Sequence, residues 1–182
     1  MTHRIDPGGL ELRVATRHQI EAAIEGPWRL AAAMHGSTLL ADDWERFPEA
    51  LPAALEALAD KPDGDRWGSH FFLLREPPTL VGWGGFKGPP VAGSVEIGYA
   101  VAPEYEGRGI ATAAVALLLE KAAASGEVEV VTAHTLPEPS ASATVLEHAG
   151  FEHDAELALE GEREVWEWRR PLSPPAPGQE QT

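Results

Sequence analysis

The chain has 182 residues, 43% of them hydrophobic and 24% charged, which suits one globular domain with length for a sizeable core. Its 14 Lys and Arg against 29 Asp and Glu give a formal charge of −15, which argues against duplex DNA or RNA as a partner and is compatible with a cationic substrate or with plain solubility. No apolar run approaches the ~18 residues of a membrane span, Met1 to Pro7 lacks a signal-peptide core, and zero cysteines exclude disulfides and thiolate metal sites and fit a cytoplasmic protein.

Leu10 to Ala15 alternates as a strand does, and Thr16 is placed to cap a following helix. Ile20, Ala23, Ile24, Leu30 and Ala31 predict helix from Arg17 to Met34, broken or kinked at Gly26-Pro27. His35-Gly36-Ser37 reads as a turn. Asp42-Asp43 is expected to cap another helical stretch reaching Ala59, interrupted early by Pro48 and Pro52, and Asp60 to Asp65 is a loop. His70 to Arg75 is a strand, Glu76-Pro77-Pro78 a hairpin-like turn, and Thr79 to Phe86 the returning strand, whose glycines let another backbone or a ligand approach closely. After a loop from Lys87 to Gly93, Val95, Ile97, Tyr99 and Val101 alternate as a further strand, which Pro103 stops. The period then changes. Ile110, Ala111, Ala114, Val115, Leu118, Leu119 and Ala122 form one stripe of a long helix ending at Ser125-Gly126. Glu127 to Thr135 is a strand with Val128, Val130, Thr132 and His134 on one face. Leu136 to Pro139 is a rigid loop and Ser140 to Ala149 a short helix closed by Gly150. Phe151–Leu159 and Arg163–Arg169 are two more strands joined by Glu160-Gly161-Glu162, with Trp166 and Trp168 on one face. Residues 1–9 are expected to be flexible, 10–172 to form one domain, and 173–182 to be a disordered tail poor in apolar residues.

This order predicts an α/β (α+β) fold, one sheet with helices packed on it. A Rossmann domain fits less well, because three strands in succession precede the phosphate-binding turn. That turn is the chemical centre of the sequence. Gly107 and Gly109 lie where the long helix begins, so its free N–H groups meet solvent or ligand with little side-chain cover, and such an end attracts anions. Immediately upstream, Glu96, Gly98 and Ala100 share one strand face, a carboxylate beside two very small residues. That face suits a ligand better than core packing.

Here the sequence resembles the GNAT superfamily of acetyl-CoA-dependent N-acetyltransferases, whose signature is Gln/Arg-x-x-Gly-x-Gly/Ala between a strand and a helix. The chain offers Glu106-Gly107-Arg108-Gly109-Ile110-Ala111, preceded by Glu96-Ile97-Gly98-Tyr99 and Pro103-Glu104-Tyr105. Downstream, Ser142-Ala143-Thr144-Val145-Leu146-Glu147-His148-Ala149-Gly150-Phe151 resembles the closing helix of the same fold. The pattern is nearest to the branch that includes ribosomal-protein N-terminal acetyltransferases. The resemblance implies a mixed, mostly antiparallel sheet of about six to seven strands flanked by helices. It implies acetyl-CoA as cosubstrate, no metal, and as acceptor a primary amine of a small molecule or a peptide N-terminus; a homodimer is compatible with it. It also implies that N–H groups of the segment Glu106, Gly107, Arg108, Gly109, Ile110, Ala111 and Thr112 hold the pyrophosphate, and that the strand edge at Tyr99, Ala100 and Val101 pairs with the pantetheine amides. Three positions depart from the family pattern: Glu106 in place of Gln or Arg, Pro139 in place of a common Asn, and Leu146 in place of a common Tyr.

Acetyl transfer to an amine needs a held donor, a deprotonated amine and a departing thiolate. Glu96 is the first candidate for general base, directly or through water, and His134 is the alternative base or water-positioning group. Ser142 is a candidate hydrogen-bond donor to the pantetheine or thiolate sulfur, or else a helix cap. An α-amine of pKa ~7.8 is about a tenth neutral at pH 7, whereas a lysine at ~10.4 is neutral in fewer than about one molecule in a thousand, so only the latter demands a strong base. The seven His residues show no metal-ligand spacing. Trp28, Trp44, Trp67 and Trp83 read as core, and Asp42, Asp43 and Glu45 read as a solvated helix start or as groups that attract a cation. Two other readings stay open: a GNAT-like acyl-CoA-binding sensor without catalysis, and a nucleotide-binding domain using the same helix end.

Overall fold

The computed structural model describes residues 9–34, 38–58, 66–159 and 163–172. The first eight residues, the turn expected at His35–Ser37, the loop Asp60–Asp65, the joint Glu160–Glu162 and the tail 173–182 lie outside the described residues. Strand β1 (Leu10–Val14) runs into helix α1 (Arg17–Glu25). Thr16 caps α1 reciprocally: its hydroxyl accepts the Gln19 N–H while the Gln19 side chain accepts the Thr16 N–H. Gly26, at φ 133°, separates α1 from α2 (Pro27–Ala33), and Pro27 sits in the first turn, where its missing N–H costs nothing.

The next segment differs from expectation. Asp42 and Asp43 cap no helix. Residues 42–46 form an irregular turn in which Asp43 and Arg46 both adopt φ 52°. Pro48 opens a short 3-10 turn (Pro48–Ala50) and Pro52 the first turn of α3 (Leu51–Ala57), so the prolines start helical elements instead of interrupting one. Ahead of them lies β2 (Leu39–Leu40), a two-residue strand too short for any sequence period to reveal.

The remaining elements are β3 (Ser69–Arg75), β4 (Pro78–Phe86), β5 (Ser94–Val101), α4 (Ile110–Ser125), β6 (Val130–Thr135), α5 (Ala141–His148), β7 (Glu152–Leu159) and β8 (Arg163–Pro171). They form one eight-stranded mixed sheet, in the order β1-β3-β4-β5-β6-β8-β7 with β2 beside β4. Neighbours on the main path run antiparallel except β5 and β6, and β2 lies parallel to β4. Strand β6 begins three residues later than expected, because the N–H groups of Glu129 and Val130 both bond to Gly93 O. Val128 is therefore buried outside the strand, and the buried face of β6 is Val131, Ala133 and Thr135, opposite Thr132 and His134.

Helix α4 supplies the largest apolar stripe. Val115, Leu118, Leu119 and Ala122 pack with Val95 and Ile97 of β5, Val131 and Ala133 of β6, and Leu146 of α5. Ala113 joins its buried face, whereas Ala111, expected in the stripe, is half-buried and faces a cleft. A second cluster gathers Ile20, Leu30, Phe71, Phe72 and Leu80, with Trp44 edge-on to Phe71 at 5.5 Å. Trp44, Trp67 and Trp83 are buried as expected, but Trp28 is 65% exposed, with the Arg29 guanidinium 4.2 Å from its ring centre. The glycines of β4 admit a neighbouring backbone. A Cβ on Gly82 would lie 2.3 Å from Ala100 O, and one on Gly84 2.3 Å from Gly98 O, both on β5.

His70 on β3 is fully buried, with Nδ1 3.1 Å from Gly68 O and Nε2 without a hydrogen-bond partner among the described residues. Burial, reinforced by the charge of Lys121, pushes its pKa down to about 4. The unfolded chain protonates this ring near pH 6.5, so its contribution to stability is full above that pH and is lost as pH falls toward 4. We expect this to cost about 3 kcal/mol by pH 4. Urea unfolding at pH 7.5 and pH 4.5 measures it; a loss of the same size in the His70→Leu variant would show that another group is responsible.

Candidate active site

The site originates in an interrupted strand pairing. Strand β5 pairs with β4 from Ile97 to Val101, but with β6 only from Ser94 to Ile97. Beyond Ile97 and Ala133 the two parallel strands part. Glu96 O accepts the Lys87 N–H at 2.9 Å and the Ala102 N–H reaches Val81 O at 2.8 Å, so the polar groups of the even-numbered residues of β5 point toward β4. Backbone groups alternate between strand edges. The N–H and C=O groups of Tyr99 and Val101 therefore point into the gap left by β6.

That gap continues into a cleft of about 600 Å³ bounded by Tyr99–Val101, the start of α4 and the start of α5. Gly107 and Gly109 both take positive φ, 71° and 82°, and only from Ile110 is the chain helical. The expected helical run from Gly107 is thus a left-handed turn followed by a helix, because glycine alone enters αL without steric cost. The first backbone bond back into the turn is Ala113 N–H to Gly109 O, at 2.9 Å. Among the described residues no acceptor is paired with the N–H groups from Gly107 to Thr112. These donors and the positive end of a sixteen-residue helix face one cleft.

A second cleft, of about 660 Å³, lies between α3 and the β4–β5 floor, and His134 lines it. The two clefts share Phe47, Tyr99 and Ala100. Where β5 and β6 part, Glu96 Oε1 lies 2.8 Å from His134 Nδ1 and also takes a hydrogen bond from Lys87 Nζ. The Glu96 and His134 side chains are 26% and 16% exposed. Burial opposes ionisation of Glu96, but Lys87, then His134, outweigh it and hold its pKa below the usual carboxylate value. An ionised Glu96 has no proton to give, so His134 Nδ1 must carry the hydrogen of their bond. His134 Nε2 is buried and has no partner among the described residues.

A family model for the acetyltransferase (GNAT) domain matches residues 10–152. The chain belongs to that family. Among solved structures, Mycobacterium smegmatis RimJ in complex with CoA-disulfide is 25% identical over 91% of this chain and 83% of its own, with a TM-score of 0.62. The ribosomal-protein-S5-alanine acetyltransferase of Vibrio fischeri is 16% identical over 90% and 93%, with a TM-score of 0.63. A spermidine N-acetyltransferase SpeG chimera from Vibrio cholerae and hSSAT is 17% identical over 90% and 95%, with a TM-score of 0.60. None of the curated proteins compared with the chain matches it. The cosubstrate of this GNAT acetyltransferase is acetyl-CoA. The features here fit its parts, since unpaired N–H groups at Gly107–Thr112 suit a diphosphate and the open edge of β5 suits two amides.

Of the expected site residues, all but Glu96 and Arg108 line one cleft or the other. Glu96 and His134 come together at the fork. Ser142 lies away from them on the donor cleft, and its cap role falls to Ser140, whose hydroxyl accepts the Ala143 N–H at 3.2 Å. Tyr99, Ala100, Val101, Glu106, Gly107, Gly109, Ile110, Ala111 and Thr112 all line the donor cleft. Arg108 does not; its guanidinium stacks 4.8 Å from the Tyr105 ring centre. The Tyr99 hydroxyl donates to Ser142 O at 3.0 Å, tying β5 to α5, and burial raises its pKa well above the ordinary value despite that bond. Asp42, Asp43 and Glu45 line neither cleft, while Glu49 lines the second.

Three residues escaped sequence reading. Lys87 was legible in principle, because an antiparallel pair with Phe86 opposite Ile97 sets Lys87 beside Glu96. Arg46 and Phe47 were not, since a turn with positive φ delivers them to the clefts. Removing the lysine charge in Lys87→Met leaves burial with less opposition, so the Glu96 pKa should rise toward or above the ordinary carboxylate value. Titration of the Glu96 carboxyl carbon by NMR checks this; an unchanged midpoint would show that Lys87 does not set it.

Proposed function

We propose that the protein transfers acetyl from acetyl-CoA directly to an uncharged primary amine of a small molecule or a peptide N-terminus, in the cytoplasm. The observation that carries this reading is the Glu96–His134 pair at the strand fork, with His134 on the wall of the second cleft, which shares Phe47, Tyr99 and Ala100 with the donor cleft. When bound, the cosubstrate supplies an acetyl carbonyl activated as a thioester. The open N–H and C=O groups of Tyr99 and Val101 hold its pantetheine arm, and the N–H groups of Gly107–Thr112 hold its diphosphate. The acceptor comes in through the second cleft, one wall of which carries Ala50 and, on α3, Ala53, Ala54 and Ala57, small side chains that leave room for it.

The amine nitrogen forms a bond to the acetyl carbon, the carbon–sulfur bond breaks, and the proton leaving the amine goes to His134 Nε2. Glu96 fixes the ring with its hydrogen on Nδ1, leaving the Nε2 lone pair free to accept. This assigns Glu96, the first candidate from sequence, a positioning role, because a carboxylate with lowered proton affinity is a poor direct base. Ser142, on the donor-cleft wall, is assigned to the departing thiolate. A thiol with a pKa near ~8.5 needs no strong acid to leave. A histidine as the base also favours an α-amine over lysine as acceptor, since the former supplies more neutral amine at pH 7. The relatives named for ribosomal-protein alanine and for spermidine support an amine acceptor without choosing between peptide and small molecule.

A panel of peptide N-termini, polyamines and amino acids incubated with acetyl-CoA tests the reading. We expect at least one to be N-acetylated, and stabilisation by CoA without any acetylation would overturn it. His134→Ala should lower kcat by about a hundredfold with CoA affinity unchanged. Glu96→Gln should lower kcat by less than His134→Ala does, with CoA affinity again unchanged; a kcat indifferent to both changes would remove the pair from the mechanism.

A further inference from the structure

Glu106 presents an electrostatic contradiction. It places a carboxylate on the wall of a cleft whose other features attract anions. The chain answers it from a distant segment: Arg46 Nη1 lies 3.2 Å from Glu106 Oε1, and both side chains line the same cleft. Their side chains are 38% and 47% exposed, so the pair is open to a ligand.

The segment that delivers Arg46 is firmly mounted. Trp44 is buried against Phe71, and the Trp83 indole N–H donates to Glu45 O at 2.7 Å, fixing the residues just before Arg46 to the sheet. The Arg46 N–H bonds back to Asp43 O at 3.1 Å, and Arg46 itself holds φ 52°. A non-glycine residue in that region is disfavoured by about 1 kcal/mol and persists only where its surroundings enforce it. The enforced conformation aims a guanidinium at the donor cleft and leaves the next residue, Phe47, 51% exposed on the shared boundary of both clefts.

We propose that Arg46 is a donor-binding residue that contacts the diphosphate of acyl-CoA, with Glu106 holding it in place until the donor binds. The inference rests on the donor reading given above. A guanidinium serves a carboxylate and a phosphate oxygen at once through its fork of N–H donors. Arg46 therefore does more than cancel the Glu106 charge: it adds a cation to a seat otherwise built from backbone N–H groups. The mounting also makes Phe47 follow Arg46, so the residue that reads the donor is linked covalently to a wall of the acceptor cleft.

Calorimetric titration with CoA and with acetyl-pantetheine, which lacks the diphosphate, separates the possibilities in the wild type, Arg46→Gln, Glu106→Gln and the double variant. Arg46→Gln should weaken CoA binding about tenfold both with and without Glu106, and leave acetyl-pantetheine binding unchanged. Equal CoA affinity of Glu106→Gln and the double variant would overturn the contact and leave Arg46 as a neutralising partner only. Equal loss for acetyl-pantetheine would also overturn it. A wild type that binds no CoA would contradict the donor reading itself. Should Arg46→Gln fail to fold by circular dichroism, Arg46→Lys, which keeps charge but not the fork, should weaken CoA binding by a few-fold, and no loss there would count against the proposal.

Discussion

The structure depends on one constraint: β5 pairs with β6 over its first half, Ser94–Ile97, and with β4 over its second, Ile97–Val101, so its last residues have a strand on one side only. A backbone edge without a partner is costly when buried and attracts added strands when exposed. Here the edge opens on a cleft, so its unpaired groups are available to a ligand. Glu96 and His134 flank the last paired residues, Ile97 and Ala133, diagonally, and their side chains meet where the strands part. The rest of the site follows from the same parting. Helix α4 begins where the strand has ended and turned through two left-handed glycines, and α5 closes the far side of the gap through the Tyr99–Ser142 bond.

Charge in this acidic chain is managed locally. Two of the carboxylates around the functional clefts have basic partners from other segments: Glu96 with Lys87 and His134, and Glu106 with Arg46. The partners have different consequences. At Glu96 they fix an ionised carboxylate and hence the tautomer of a histidine. At Glu106 they convert an acid that would repel a diphosphate into the mount for a cation. Net charge alone anticipates neither result.

Much of this was legible in sequence because it rests on local pattern. The switch from period two at Val95–Val101 to helical spacing from Ile110 marks a strand, a turn and a helix, and Gly107 and Gly109 mark a backbone that must pass through αL. The capping Thr16 and the paired segments at Glu106–Ala111 and Ser142–Phe151 were equally local. What escaped was set by tertiary context. The Asp42–Phe47 segment looks like a capped helix, but the burial of Trp44 and the Trp83–Glu45 bond hold it in a turn. β2 is defined only by its pairing with β4. The proton affinity of Glu96 depends on Lys87, whose proximity requires a strand register that no periodicity states. Trp28, assigned to the core by type, stands in solvent because α2 buries Leu30 instead.

The central claim is that the acyl donor completes the sheet at the open edge of β5 while its diphosphate sits on α4. Residue-resolved amide hydrogen exchange with and without CoA tests it most directly. Bound CoA should slow exchange at Tyr99 and Val101 together with Ile110, Ala111 and Thr112, while amides of β5 already bonded to β4 change little. Protection confined to α4, with Tyr99 and Val101 exchanging as in the free protein, would contradict the account.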